Sequence, residues 1–127
     1  MTDCLDSWAV LRWLEGEEPA ARRVEASLPD RPVMSWINLG EVSYIVDREA
    51  GSAQASLVVR ELRRQLTLDP PTGARVLEAA AIKARYSIAF AAAFAVATAI
   101  GHGAVLLTGD PKILDGDPAW PTADLRS

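Results

Sequence analysis

From Tyr86 to Gly109 the chain carries no Asp, Glu, Lys or Arg, and the central part, Ile88–Ile100, is apolar apart from Thr98. A run like this must be hidden from water, which leaves two choices. A membrane span needs roughly 20 apolar residues, and this stretch is shorter and rich in Ala, a strong helix former but a weak lipid anchor. It therefore reads as a fully buried helix, and such a helix needs covering layers on every side. It is followed by Gly101-His102-Gly103 and a short apolar run, Ala104–Leu107, that ends at Thr108-Gly109-Asp110. A helix followed at once by a buried strand is half of a βαβ unit, so the chain is expected to build an α/β domain.

The rest of the sequence repeats the alternation. Thr2–Leu5 is a second short apolar run, ending at Asp6-Ser7; Pro32–Met34, Leu66–Leu68 and Trp120–Ala123 are weaker strand candidates. Helical patterns fill the gaps: Trp8–Leu14, Pro19–Ser27, Trp36–Ala50, Ala53–Gln65 and Pro71–Arg85, punctuated by Gly51-Ser52 and Asp69-Pro70-Pro71. With 127 residues, half of them hydrophobic, and neither repeat nor linker, one domain over 1–127 is expected, with a mainly parallel central sheet of four to five short strands.

Composition narrows the setting. The lone Cys4 cannot form an internal disulfide, and Met1–Asp6 has acids where a secretory leader needs basic residues. Both point to a reduced, cytoplasmic location without a membrane anchor. A net charge of −4 argues against sequence-blind coating of nucleic acid. The 11 Arg against 2 Lys reflect GC-rich codons or a use of guanidinium for phosphate and carboxylate pairing. Arg60, Arg63 and Arg64 share one helix face, which is a solvated face or a contact for an anionic partner. The four tryptophans carry no signal that assigns them to core or interface.

The acids carry the chemistry. Ligands of a parallel sheet gather beyond the carboxyl ends of its strands, where Asp6 and Asp110 are both expected; each could equally be a helix cap or turn residue. Glu41 lies on a mostly apolar helix, on one face with Ile37, Tyr44 and Ile45. It is expected to be buried and so to need a metal, a proton or an Arg partner. Three acids in one cleft would form a hard, oxygen-rich site suited to Mg²⁺ or Mn²⁺ rather than zinc. His102, between two glycines, is expected in a loop, with acid–base work open to it only if the fold brings it to the acids. A nucleotide-binding reading is opposed by the lack of G-x-x-x-x-G-K-[ST] and of a glycine at position 106.

These motifs resemble a known family. L5-DSWAVLRWLEGE resembles the opening of PIN-domain ribonucleases, especially VapC-type toxins; INLGEV at 37–42 is similar to their second acidic motif and LLTGDP at 106–111 to their last. The likeness spans nearly the whole chain in order. It implies a PIN-like α/β/α sandwich and a metal-dependent endoribonuclease of a type II toxin–antitoxin system. The implied partners are an RNA substrate, a cognate antitoxin and a second copy in a homodimer. Asp6, Glu41 and Asp110 would bind Mg²⁺ or Mn²⁺, with Ser7 near the metal and Thr108 and Asn38 supporting the ligands.

Two positions depart from the family. Lys112 stands where some relatives carry an acid. The phrase F90-AAAF places Ala92 where the family's third acid, an Asp, is expected. Ala92 then belongs to the catalytic set by position but supplies no carboxylate, through an engineered substitution (the reading favoured) or natural loss. Activity is accordingly expected to be weak or absent. The alternative is a catalytically inactive PIN-fold protein-interaction module.

Overall fold

The computed structural model describes residues 2–116 and 120–127. In chain order its elements are β1 (Asp3–Leu5), α1 (Ser7–Glu15), α2 (Ala20–Ser27), β2 (Val33–Ser35), α3 (Trp36–Ala50), α4 (Ser52–Gln65), β3 (Thr67–Asp69), α5 (Gly73–Arg85), α6 (Phe90–His102), β4 (Val105–Thr108), α7 (Pro111–Leu114) and β5 (Thr122–Asp124). The five strands form one sheet in the order β3-β2-β1-β4-β5, and every neighbouring pair is parallel.

Alternation along the strands sorts the core into two layers. Cys4 pairs in register with Val33 and Leu106, while the next residue, Leu5, pairs with Leu107. Side chains of successive strand residues leave opposite faces. Cys4, Val33 and Leu106 accordingly join one cluster, covered by Ala79 of α5, the buried side of α6, Ile113 and Trp120. Leu5, Met34 and Leu107 join the other, with Val10 of α1, Val24 of α2, Leu39 and Val42 of α3 and Leu62 of α4. The result is the expected α/β/α sandwich.

The charge-free helix α6 lies in the first of these layers, where every residue from Ala93 to Ala99 is buried. Among the described residues no single helix is long and apolar enough to cross a membrane. Cys4 is fully buried beneath α6, its thiol 3.9 Å from the Ala95 carbonyl, and burial raises its pKa above the ordinary thiol value.

Differences from the sequence reading lie at element ends. Trp120 precedes β5 instead of opening it; its indole packs edge-on to Tyr86 at 4.8 Å and donates to the Ile113 carbonyl at 3.2 Å. His102 is the last residue of α6, not a loop residue, and its Nε2 lies 2.8 Å from Asp69. Asp69, which the sequence places in a turn, ends β3 with its backbone in register with Ser35.

Candidate active site

The chain leaves β1 for β2 on one side, and β4 returns to the other side of β1. Crossovers that depart in opposite directions open a crevice at the carboxyl ends of the two central strands. Asp6 follows β1 and Asp110 follows β4, so both acids stand at its mouth. A cleft of about 250 Å³ there is lined by Asp6, Ser7, Asn38, Glu41, Ala92 and Asp110, with Trp8, Leu11, Arg12 and Ala89 completing the wall.

Asp6 is the buried acid, 4% exposed. It caps α1, accepting from the Ala9 amide at 2.8 Å, and its other oxygen accepts from the Thr108 hydroxyl. Burial pushes its carboxyl up to about 7; the bonds from Thr108 and Ala9 oppose this, and the nearby Asp110 and Glu41 reinforce it. Thr108 is itself fixed, since its oxygen accepts from the Asp110 amide at 3.0 Å. Gly109, between them, lies against Trp8: a Cβ there would stand 2.2 Å from the indole. Any larger residue at 109 would require the Trp8 ring to shift.

Glu41 differs from its expectation. It is half-buried, and its Oε1 accepts from the Ser7 hydroxyl at 2.6 Å. The apolar look of α3 overstates its burial: Tyr44 is 50% exposed, with the Arg48 guanidinium 5.7 Å above its ring. Asp110 caps α7 by accepting from the Lys112 amide at 2.9 Å. Asn38 is buried; it donates to the Ala91 carbonyl at 2.9 Å, and its Oδ1 has no donor. Arg12, at the wall, is engaged elsewhere, stacked 4.7 Å over Trp8 and paired with Glu15 and Glu17.

The wall is thus rich in oxygen acceptors and poor in donors. Among the described residues no three His, Cys, Asp or Glu side chains close on a single point as a preformed metal cage. The donor set fits a hard cation that keeps much of its water and takes one or two carboxylates directly. The two acids and the half-buried Glu41 meet that demand. Ala92, on the first turn of α6, lines the same cleft without adding an oxygen.

Sequence reasoning missed a second charged cluster. Asp69 is buried and held by Arg75 through two bonds of 2.9 and 3.2 Å and by His102 at 2.8 Å. Burial pushes its carboxyl up, but the bonds from Arg75 and His102 outweigh that and leave it below the usual carboxylate value. The Arg75 guanidinium also reaches the Ala97 carbonyl at 3.2 Å. It fills the space beside Gly101, where a Cβ would stand 2.2 Å from it. This cluster staples β3 and α5 to α6 and shares no residue with the acid cleft.

The family model of the PIN domain matches residues 4–117. The chain belongs to the PIN-domain family. The fold agrees at low identity. VapBC from Salmonella typhimurium, bound to DNA, superposes with a TM-score of 0.78 at 17% identity over 98% of this chain and 99% of that one. VapBC2 from Rickettsia felis, bound to a fragment of its promoter, gives 0.77 at 15% identity over 98% of each chain. VapC20 from Mycobacterium tuberculosis, a toxin that cleaves the sarcin–ricin loop, gives 0.70 at 20% identity over 92% of this chain and 98% of that one. No curated protein sequence matches this PIN chain.

Proposed function

We propose that this PIN chain is the toxin of a VapC-type toxin–antitoxin pair: a metal-dependent endoribonuclease whose activity is low because Ala92 leaves its cleft one carboxylate short. The observation that carries the reading is the meeting of Asp6, Glu41, Asp110 and Ala92 in one cleft at the switch point of a PIN sheet. The likeness to toxin–antitoxin complexes and to an RNA-cleaving toxin supports the choice of substrate and partner.

Asp6 and Asp110 would hold Mg²⁺ or Mn²⁺, with Glu41 on the ion or its water. When bound, the ion supplies an activated water and neutralises charge growing on the phosphate oxygens. The chain's own groups prepare the cleft. Thr108 and the Ala9 amide fix both oxygens of Asp6, so its carboxylate cannot rotate as charge builds. Ser7 holds Oε1 of Glu41 and leaves Oε2 to take a proton from water in the cleft. The Lys112 amide holds Asp110 in the same way.

The chain is proposed to act in the cytoplasm, as a homodimer, with an antitoxin covering the cleft. Leu77, 71% exposed on α5, and Ile100, 51% exposed on α6, offer apolar surface for the second copy. Leu77→Asp should then convert a dimer to a monomer by light scattering at micromolar concentration; a wild-type monomer there would remove the dimer.

The deciding test is Ala92→Asp. The new carboxylate would sit in the first turn of α6, where the helix dipole contributes only about 0.3–1 kcal/mol, so metal must offset its burial. The variant should bind Mn²⁺ more tightly by calorimetry and cleave RNA that the Ala92 chain leaves intact. Unchanged metal affinity and no cleavage would favour the second reading, a PIN-fold interaction module, which the carboxylate-free Ala92 itself recommends.

A further inference from the structure

A larger groove, of about 680 Å³, runs between α3 and α4 on the far side of α3 from the acid cleft, and its walls carry three arginines, Arg60, Arg63 and Arg64, against one acid, Asp47, with Arg64 also 3.4 Å from Glu61. In a chain of net charge −4 this is a local reversal of sign. The spacing of the three arginines puts them on one side of α4, opposite Ala55, Val58 and Leu62, which face the core. Arg31 adds a fourth positive charge at the end of α4, where it donates to the carbonyls of Arg64 and Leu66 at 2.7 and 3.1 Å.

A smaller depression shares Ser43 and Val59 with this groove and extends along α3 to Leu39 and Trp36. Trp36 is 37% exposed, and the Arg63 guanidinium lies 5.5 Å over its ring. It opens α3 only two residues before Asn38, which lines the acid cleft. The two depressions together form a surface path of arginines that ends at an indole.

A ligand that fits this path carries anions at intervals and flat faces between them. An acidic peptide would satisfy the guanidinium groups but not the indole. A single-stranded nucleic acid satisfies both, because a basic groove tracks its phosphates and an aromatic ring stacks its bases. We infer that the α3–α4 groove is a binding track for single-stranded RNA, with phosphates on Arg60, Arg63 and Arg64 and a base stacked on Trp36. The choice of RNA rests on the ribonuclease reading above; the track itself rests on the residues of the groove.

The test uses the full chain, a fluorescein-labelled uridine oligonucleotide and anisotropy titrations over a range of KCl concentrations. Each phosphate contact to a single strand contributes about 0.7 to the slope of log affinity against log salt. The variant R60A/R63A/R64A should therefore flatten the slope by about 2, as should R60Q/R63Q/R64Q, which removes charge and keeps length. Trp36→Ala should weaken binding about tenfold at fixed salt, the lower range for one stacked base. Trp36→Phe should keep the affinity while reducing the quenching of tryptophan fluorescence by the oligonucleotide. Thermal melts within a few degrees of wild type establish that the variants are folded.

An unchanged salt slope in both triple variants overturns the track, as does a wild-type chain that binds no oligonucleotide at low salt. A Glu-rich peptide that binds the same arginines more tightly than RNA overturns it in favour of an acidic protein partner. The ribonuclease reading is scored separately, by cleavage with Ala92→Asp. Cleavage without a slope change removes only the track, and a slope change without cleavage removes only the nuclease.

Discussion

Replacing Asp6 by Asn tests whether the cleft is an accumulation of uncompensated negative charge. In the unfolded chain this carboxyl titrates at its ordinary 3.8; in the fold, burial and its acidic neighbours push it up to about 7. At about 1.4 kcal/mol for each tenfold change in proton affinity, that span corresponds to ~4 kcal/mol. The sign follows from proton counting. Between about pH 4 and pH 7 the folded state keeps a proton that the unfolded state has released, so stability falls as pH rises and levels off above about 7. Asn is neutral throughout and of nearly the same shape. Its Oδ1 can accept from the Ala9 amide, and its amide can donate to Thr108, whose oxygen already accepts from Asp110. Allowing about 1 kcal/mol for the less favourable bonds, the metal-free Asn variant should be more stable than wild type by up to ~3 kcal/mol at pH 8. It should be no better at pH 4. Urea unfolding followed by tryptophan fluorescence across this range reads the difference directly, since carboxylates outside the cleft cancel between the two proteins. Adding Mg²⁺ should raise wild-type stability at pH 8 and leave the variant unmoved. Parallel pH curves for the two proteins would refute the placement of a costly buried carboxylate at Asp6.

Two further substitutions probe the packing around the site. Gly109→Ala would drive a methyl into the Trp8 ring; overpacking of this kind costs about 1–3 kcal/mol, visible as a lowered melting temperature, and an unchanged melt would show that the ring moves freely. Arg75→Ala strands Asp69 in the interior and should destabilise the fold by about 3–5 kcal/mol, whereas R75M/D69N should recover most of the loss in urea unfolding. The stabilisation from Asp69 is present above the ordinary carboxylate pKa and lost as pH falls through its depressed value; Arg75→Ala should therefore lose less stability in acid than wild type does.

What could be read locally was read from the sequence. β1 and β4 are apolar runs closed by polar turns, and α6 is unmistakable because it lacks charge along its whole length. β3 and β5 are three-residue strands at the two edges of the sheet, too short for alternation to fix their ends. The burial of Asp6 was not legible, because it arises from the crevice between β1 and β4, which exists only once the chain's crossovers part. The sequence suggests burial for Glu41 instead, since the apolar residues of α3 imply cover on a side that the fold leaves open at Tyr44. The cluster of Asp69, Arg75 and His102 joins groups up to 33 residues apart, and no periodicity announces such a pairing.

Cys4 sits on the central strand, sealed beneath α6 with its thiolate disfavoured by burial. Only the thiolate reacts with disulfide reagents, so the native protein should be inert to them until α6 lifts from the sheet. The chain thus carries its own clock: the labelling rate of this one thiol records how often the two layers part. Because the N-terminal turn of α6 bears Ala92, the same measurement made with and without divalent metal shows whether an event in the cleft is felt along the contact between α6 and the sheet.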